Sequence, residues 1–299
     1  MGTALKTFRR LSPPAGLALA AACSARAGRR VLPHSQLFLG LTYRCNSACA
    51  HCRYSDPDWR RPGGDMPRAL AVSALEQARA LGIERAVFFG GEPLLYKGLE
   101  WLVAKAAGMG FITQLDTNGA LLTPKRLLAL KRAGLACAMI SLHGAGRRDH
   151  DRTAGHGSFD KAAAAVRLCA ASGLLTYVSV CVFHGRTQAP MLRRLFSLAR
   201  RLGAHGARLL PFSGSTGGGA DSRRGILGLT KGPGAAGFAR SCLSSASSCD
   251  ASRGRIVYIS PSGAVTRCPY SALPAGSLRE KKLAAILAGR AGKKPGIFC

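Results

Sequence analysis

The stretch AVFFGGEPLLYKGLEWLVAKAAGMGFITQLDTNG, residues 86–119, predicts a complete strand–helix–strand unit. Its two ends, 86–91 and 111–118, are short apolar runs with the length and residue types of buried strands. Between them, residues 97–108 repeat apolar side chains at three- and four-residue spacing, which is typical of a helix. A strand, a helix and a second strand in this order predict two parallel strands joined by a right-handed crossover.

The same alternation continues on both sides of this unit. Further strands are predicted at 36–42, 136–143, 175–183 and 207–212, and further helices at 67–81, 123–133, 158–172 and 188–202. This repetition predicts an α/β fold, a partial (β/α)6 barrel of the TIM type. A full barrel or a doubly wound sheet fits the same pattern.

Polar and Gly-rich segments follow four of the predicted strands. They are TYRC, GGEP, DTNG and SLHG, each directly after an apolar run. In barrels and in open parallel sheets alike, functional residues gather at the carboxyl ends of the strands. The sequence therefore predicts one site, at this edge of the sheet.

Composition divides the rest of the chain. Residues 1–34 hold no acidic residue and predict a disordered basic leader, although a signal sequence, a lipid anchor or a transit peptide has similar features. Residues 35–212 would form the barrel and the Gly- and Ser-rich residues 213–240 a linker. In the extension, 241–299, GRIVYISPSGAVTRC predicts a hairpin and residues 277–290 a short helix.

The formal net charge is +29, which favours acidic partners: nucleic acid, an anionic membrane, an acidic peptide or a polycarboxylate cofactor. The alternative is that the charge lies on solvated helix faces, such as those of KRLLALKR and MLRRLFSLARRLG.

No stretch reaches the roughly 20 apolar residues of a membrane span. The 11 cysteines are too sparse for a disulfide scaffold, and their clustering favours a metal role in a reducing compartment such as the cytoplasm.

Cys45, Cys49 and Cys52 form a C-x3-C-x2-C motif just after the first predicted strand. Structural zinc sites and iron–sulfur clusters are both normally held by four protein ligands. A set of three thiolates leaves one coordination position open, as catalytic metal sites do, and an external molecule must fill it. From these residues alone, zinc and an iron–sulfur cluster are both open.

This motif, with His51 before its last cysteine, resembles the radical S-adenosylmethionine (SAM) superfamily. The resemblance implies that Cys45, Cys49 and Cys52 hold a [4Fe–4S] cluster and that SAM chelates the fourth iron. Reductive cleavage of SAM would then give methionine and a 5′-deoxyadenosyl radical, which abstracts a hydrogen atom from the substrate.

The other strand ends extend the resemblance over roughly residues 36–270. GGEP is similar to the family's second motif, which implies that Gly90 and Gly91 let the backbone approach SAM, that Glu92 lies near the SAM ammonium group and that Pro93 stiffens the turn. DTNG is similar to the family's third strand end and makes Asn118 a further cofactor-binding candidate.

ISLHG, residues 140–144, resembles the family's I-S-L-D-G segment. The resemblance implies a hydrogen bond from Ser141 to SAM, and Arg152 is a candidate partner for the SAM carboxylate. His143 stands where the family commonly has Asp, so no role is carried over to it.

In the extension, Cys249, Gly263 and Cys268 are spaced C-x13-G-x4-C, which resembles the opening of the SPASM/Twitch extension of radical SAM enzymes. The resemblance implies an auxiliary iron–sulfur cluster held by Cys249, Cys268 and Cys299, with Cys242 as a further candidate, so that the chain would carry two clusters. A truncated extension or a hairpin with unligated thiols is the alternative. Three other cysteines have small apolar neighbours and are predicted to be buried in the core: Cys137, Cys169 and Cys181.

The function that the resemblance implies is hydrogen abstraction from a peptide or protein side chain, with an electron donor such as flavodoxin or ferredoxin. The alternatives are radical modification of a cofactor precursor of the tetrapyrrole or molybdopterin type, RNA modification, and a non-catalytic iron–sulfur or zinc protein. Nucleic acid is less favoured because aromatic residues make up 6% of the chain and are not interleaved with the basic runs.

Overall fold

The computed structural model describes residues 36–49, 51–52, 64–183, 187, 189–211, 238–241, 250–251, 254–271 and 273–289. The six predicted strands are present, each within two residues of its predicted start. They are β1 (Gln36–Gly40), β2 (Arg85–Phe89), β3 (Ile112–Thr117), β4 (Cys137–Ser141), β5 (Leu175–Val182) and β6 (Gly206–Pro211).

The predicted helices are also present. They are α1 (Arg68–Ala80), α2 (Leu99–Gly108), α3 (Pro124–Arg132), α5 (Ser158–Ala171) and α6 (Ala189–Arg201). The start of α3 shows why the sequence was informative: Thr123 Oγ1 accepts a hydrogen bond from the amide of Arg126 (3.2 Å), and Pro124 occupies the first helical position. This is the N-terminal pattern that satisfies the free amides of a helix.

Strands β1 to β6 lie side by side in chain order and pair in parallel. The same sheet continues beyond β6 with β7 (Ala239–Ser241) and beyond β1 with β8 (Ile256–Ile259), β9 (Ala264–Thr266) and, at the outer edge, β10 (Gly276–Ser277). The outermost strands, β10 and β7, are not paired with each other, so the sheet is open. The partial barrel is confirmed. The doubly wound alternative is wrong, because its strand order reverses at a switch point.

The two faces of the sheet differ in character. The helices cover one face, where side chains such as Leu39, Phe88 and Leu115 form the main core. Successive residues of a strand point to opposite faces. The alternate residues therefore lie on what we call the inner face, where Phe38, Val87 and Tyr258 form a separate apolar cluster.

Beyond β6 the structure differs in part from the predictions. The hairpin is confirmed, as β8 (Ile256–Ile259) pairs antiparallel with β9 (Ala264–Thr266). Strand β8 also pairs in parallel with β1, so the hairpin continues the barrel sheet. A short strand β7 (Ala239–Ser241) pairs with β6 at the border of the predicted linker.

The helix predicted over 277–290 is too long. Only α7 (Leu283–Ala288) is helical, because Gly276–Ser277 form β10 and pair with β9. Pairing with a neighbouring strand overrode the local helical pattern there. The leader, residues 1–34, lies outside the described residues, as does most of the segment 213–240.

A helix that the sequence did not predict, α4 (Arg147–Ala154), lies between β4 and α5. It buries only His150 and Ala154, so its sequence carries no apolar repeat from which a helix could be predicted. Across the described part of the chain, no helix has the length and apolar character needed to cross a membrane.

Candidate iron–sulfur and SAM site

The three cysteines of the motif lie on the loop that follows β1, which we call the cluster loop (residues 41–52, with Ala50 not described). The amide of Leu41 donates to the carbonyl of Phe89 (2.8 Å), and the amide of Cys52 donates to the carbonyl of Cys49 (3.0 Å). Cys45 is exposed, and Cys49 and Cys52 are half-buried. Three thiols on one partly open loop suit an iron–sulfur cluster, which takes soft sulfur ligands.

Burial raises the pKa of Cys49 to about 12, and the neighbouring Cys52 and Cys45 add to the effect. The pKa of Cys45 is also raised, mainly because neighbouring protein atoms shield its sulfur from water, although the residue as a whole is exposed. Thiols must lose their protons to ligate a metal, so cluster binding at this loop must release protons. Among the described residues, no three or more His, Cys, Asp or Glu side chains are close enough together to hold a single metal ion.

The GGEP turn lies directly against the cluster loop. The amide of Gly91 donates to the carbonyl of Thr42 and the amide of Glu92 donates to the carbonyl of Arg44, each over 2.8 Å. A Cβ atom on Gly90 would lie 2.6 Å from the Thr42 oxygen, and one on Gly91 would lie 2.3 Å from the Arg44 oxygen. Both glycines therefore allow the cluster loop to pack on the end of β2, a role that the sequence did not indicate.

We expect Gly91→Ala to disrupt the cluster loop. The added methyl group meets backbone atoms, which cannot rotate away, and overpacking of this kind costs about 1–3 kcal/mol. The apoprotein should be destabilised by that amount in urea denaturation, and the reconstituted protein should hold less iron. Gly108→Ala is the matched control, because nothing lies within 4 Å of its Cβ position; equal iron content in the two variants would contradict this account.

Glu92 is 0% exposed, and its carboxylate accepts three hydrogen bonds. Oε1 accepts from the Leu94 amide (3.0 Å) and from Thr117 Oγ1 (2.6 Å), and Oε2 accepts from the Asn118 amide (2.9 Å). Burial raises the pKa of the Glu92 carboxyl, whereas these hydrogen bonds act in the opposite direction. The side chain ties the end of β2 to the end of β3. The neighbouring Pro93 is buried at the start of a short 3-10 turn.

Asn118, just after β3, reaches the cluster loop with its side-chain amide. Its Nδ2 donates to Asn46 Oδ1 (2.8 Å) and to Ser47 Oγ (3.2 Å), and lies 4.0 Å from Cys45 Sγ. The structure thus brings together Gly90, Gly91, Glu92 and Asn118 around the three cysteines.

Ser141 and Arg152 lie on the next elements. Ser141 is the last residue of β4, is half-buried and stands beside Ser179 of β5. Arg152 is exposed on α4, and the carbonyl of Ala154 at the end of that helix lies 3.8 Å from Cys49 Sγ. Direct contacts of Glu92, Ser141 and Arg152 with SAM remain predictions.

Three histidines meet beside the cluster loop, a grouping that sequence reasoning missed. The ring centroids of His51 and His143 are 4.8 Å apart, and those of His143 and His150 are 5.6 Å apart. His143 Nδ1 accepts from the amide of Cys181 (3.2 Å), and His150 Nδ1 accepts from the amide of His143 (3.0 Å). His150 lies on the unpredicted helix α4, so no pattern in the sequence indicated this contact.

Burial keeps these rings neutral near pH 7. It lowers the pKa of His51 and of His150 to about 4, and it lowers the pKa of His143 well below the usual value. At the position where the family commonly has Asp, this chain therefore has an uncharged ring that packs on the cluster loop.

We expect acid to weaken the fold through His150. Because its folded pKa is depressed, the unfolded state takes up the proton first, and stability is lost as the pH falls from about 6.5 towards about 4. Between about pH 7 and pH 4.5, wild-type apoprotein should lose about 2 kcal/mol more stability than His150→Asn, whose amide oxygen replaces Nδ1 as acceptor. Denaturant titrations at both pH values measure this, with the exposed His156→Asn as control; equal losses in wild type and His150→Asn would refute it.

The extension approaches the site from the other side. Tyr43 Oη of the cluster loop lies 3.4 Å from Ser262 Oγ in the hairpin turn. Cys268 is buried after β9, and its sulfur accepts from the amide of Tyr270 (3.4 Å). Cys242, Cys249 and Cys299 lie outside the described residues, so an auxiliary cluster stays a prediction.

The chain is similar in sequence to known proteins. Residues 39–195 match the family model described as the radical SAM superfamily. The chain is 34% identical over 174 residues to a PqqA peptide cyclase of Gluconobacter oxydans (strain 621H), a match that covers 58% of this chain and 48% of the relative. It is 41% identical over 128 residues to a GTP 3′,8-cyclase of Synechococcus sp. (strain CC9902), covering 41% of this chain and 36% of the relative.

Among solved structures, Streptococcus suis SuiB bound to its precursor peptide SuiA superposes with a TM-score of 0.68 at 15% identity, covering 93% of this chain and 70% of SuiB. This likeness supports the fold. The aligned regions span half or less of the two curated relatives.

Proposed function

Since this chain belongs to the radical SAM superfamily, we propose that it is an enzyme that cleaves SAM reductively and abstracts a hydrogen atom from a peptide or protein side chain. The observation that supports this proposal is that the carboxyl ends of β1, β2 and β3 meet at the cluster loop, which carries the three cysteines. Gly91, Glu92 and Asn118 each contact the cluster loop or hold a residue that does. A protein that used this fold only as a scaffold would not need three strand ends held together around an incomplete set of metal ligands.

Cys45, Cys49 and Cys52 would hold the [4Fe–4S] cluster, and the strand ends beside them would hold SAM. When bound, these groups supply the reducing electron and the 5′-deoxyadenosyl radical. This chain's own residues hold the loop and orient it: the glycines allow close packing, Glu92 fixes the end of β3, and Asn118 holds Asn46 and Ser47. An electron donor such as flavodoxin or ferredoxin would deliver the electron, in the cytoplasm.

Two likenesses support a peptide substrate. The PqqA peptide cyclase aligns over 174 residues, and the SuiB structure that superposes on this chain holds a precursor peptide. The high positive charge of the chain favours an acidic peptide. The second candidate is a nucleotide, because the GTP 3′,8-cyclase is 41% identical over its shorter aligned stretch.

Deuterium transfer distinguishes the two substrates. The reconstituted, reduced protein is incubated with SAM and either a peptide library with perdeuterated side chains or ribose-deuterated GTP. We expect deuterium in 5′-deoxyadenosine with the peptide library alone. Deuterium from GTP alone would replace the peptide proposal with the nucleotide one.

A further inference from the structure

An exposed tryptophan lies between two cations on the outer, helix-covered side of the sheet. Trp101 of α2 is 40% exposed, and in the described part of the chain Leu273 is the other large apolar side chain with comparable exposure. The guanidinium carbon of Arg68 lies 5.3 Å from the Trp101 ring centroid, and Lys105 Nζ lies 6.0 Å from it. These are the distances of cation–π contacts. We call Arg68, Lys97, Trp101 and Lys105 the Trp101 patch.

The Trp101 patch carries an excess of positive charge. The two acids in its segments of chain are already paired, Asp65 with Arg44 (2.8 Å) and Glu100 with Arg126 (3.1 Å). None of the three cations of the patch forms an ion pair with a carboxylate of the described residues. The next acid on α1, Glu76, lies about 12 Å along the helix axis from the first residue of that helix.

The Trp101 patch adjoins the cluster loop. Arg44, the residue before Cys45, donates from Nη2 to the carbonyl of Leu95 (2.9 Å). A Cβ atom on Gly98 would lie 2.6 Å from Arg68 Nη2, so the guanidinium group packs directly on that glycine. The three peptide units from Leu95 to Gly98 span at most about 11 Å. The patch is therefore connected through one short turn to the residue beside a cluster cysteine.

The patch and the inner face lie on opposite sides of the sheet. Helices α1 and α2 cover the outer face, and both begin at the edge where the carboxyl ends of the strands meet. Of the three cysteines of the motif, Cys45 is the exposed one. A substrate bound on the inner face would therefore leave the patch accessible to a second molecule beside the cluster loop.

The chemistry of the patch fits an acidic protein. Tryptophan and arginine are the residues that contribute most at the centres of protein–protein interfaces. Cations around such a centre attract and orient a partner of opposite charge. Reductive cleavage of SAM consumes an electron that must come from outside the chain, so a partner is needed at this end of the barrel.

We propose that the Trp101 patch is the docking surface of an acidic electron-carrier protein, which reduces the cluster from outside the barrel. This rests on the proposed function. The step is the transfer of one electron: the carrier is oxidised by one electron, the cluster is reduced by one electron, and no atom is transferred. Trp101 supplies the apolar centre of the interface, and the three cations contact acidic side chains of the carrier.

The first test is the binding of two acidic carriers, a flavodoxin and a ferredoxin, each in its oxidised state so that no turnover occurs. The reconstituted full chain is titrated with each of them. The wild type should bind at least one carrier, and less tightly in high salt, because the screening length shortens from about 10 Å at 0.1 M to about 3 Å at 1 M. Trp101→Ala and the double variant Arg68→Gln/Lys105→Gln should each weaken binding about tenfold or more.

Two control variants make equivalent changes elsewhere. Leu273→Ala removes the other large exposed apolar side chain, and Arg193→Gln/Arg194→Gln removes two charges from the exposed surface of α6. Both should bind the carriers about as tightly as the wild type. Absence of binding to either carrier by the wild type, or equal weakening in the patch variants and the controls, overturns the docking surface.

The second test asks whether this contact serves reduction. The rate of 5′-deoxyadenosine formation with the reduced carrier is divided by the rate with dithionite, which cancels any effect of a variant on folding or iron content. This ratio should fall about tenfold in Trp101→Ala, and an unchanged ratio overturns the proposal.

A short single-stranded RNA is the third probe, because bases also stack on exposed aromatic rings. Tighter binding of this RNA than of either carrier, lost in the same patch variants, overturns the protein partner. Dithionite-driven SAM cleavage by the wild type, assayed without a carrier, tests the proposed function separately.

Discussion

Cys49→Ala should abolish SAM cleavage and prevent cluster assembly. Removing one of the three thiolates would leave two irons of the cluster without a protein ligand. In the wild type, only the iron that SAM is expected to chelate lacks one. Iron and sulfide analysis after anaerobic reconstitution should fall from about four irons per chain, for the cluster-loop site, to near zero. Production of 5′-deoxyadenosine from SAM should fall below detection.

Cys169→Ala is the matched control for this substitution. Cys169 is fully buried on α5, away from the cluster loop, and belongs to the main core. Its loss should lower stability by about 1 kcal/mol and leave iron content and SAM cleavage intact. Full iron content in Cys49→Ala would show that Cys49 is not a cluster ligand.

Glu92→Ala should cause the largest loss of stability among the site variants. The substitution leaves the buried donors of Leu94 and Thr117, and the half-buried amide of Asn118, without their acceptor. Each unsatisfied buried group costs about 1–3 kcal/mol, so a loss of about 3–6 kcal/mol is expected. That is a large part of the stability of a typical domain, and urea denaturation of the apoprotein measures it.

Glu100→Ala removes the same side chain from a surface ion pair with Arg126, whose closest atoms are 3.1 Å apart. Partly exposed pairs of this kind contribute about 1 kcal/mol or less, so the variant should remain close to wild type. If Glu92→Ala is no less stable than Glu100→Ala, the carboxylate does not join β2 to β3 as the structure indicates.

The sequence was most informative where the signal is local. The apolar runs of β1 to β6 and the start of α3 at Thr123 are set by neighbours in the chain, and the structure has them close to where they were expected. The order of motifs at the strand ends also predicted which residues would surround Cys45, since parallel strands bring their ends to one edge.

Contacts between distant residues could not be predicted in this way. His51 meets His143, and Arg208 meets Asp116, only because the sheet curves and α4 folds beside the cluster loop. The role of Gly90 and Gly91 was predicted incompletely for the same reason. The GGEP motif indicates that glycine is needed at these two positions. The structure shows that the backbone of the cluster loop is what packs closely against them.

The most direct test of the account is SAM cleavage by the reconstituted and chemically reduced full chain. We expect 5′-deoxyadenosine and methionine in equal amounts, dependent on reductant, and none from Cys49→Ala. A protein with its complete cluster that binds SAM and yet forms no 5′-deoxyadenosine under reduction would contradict the proposal that it is a radical SAM enzyme.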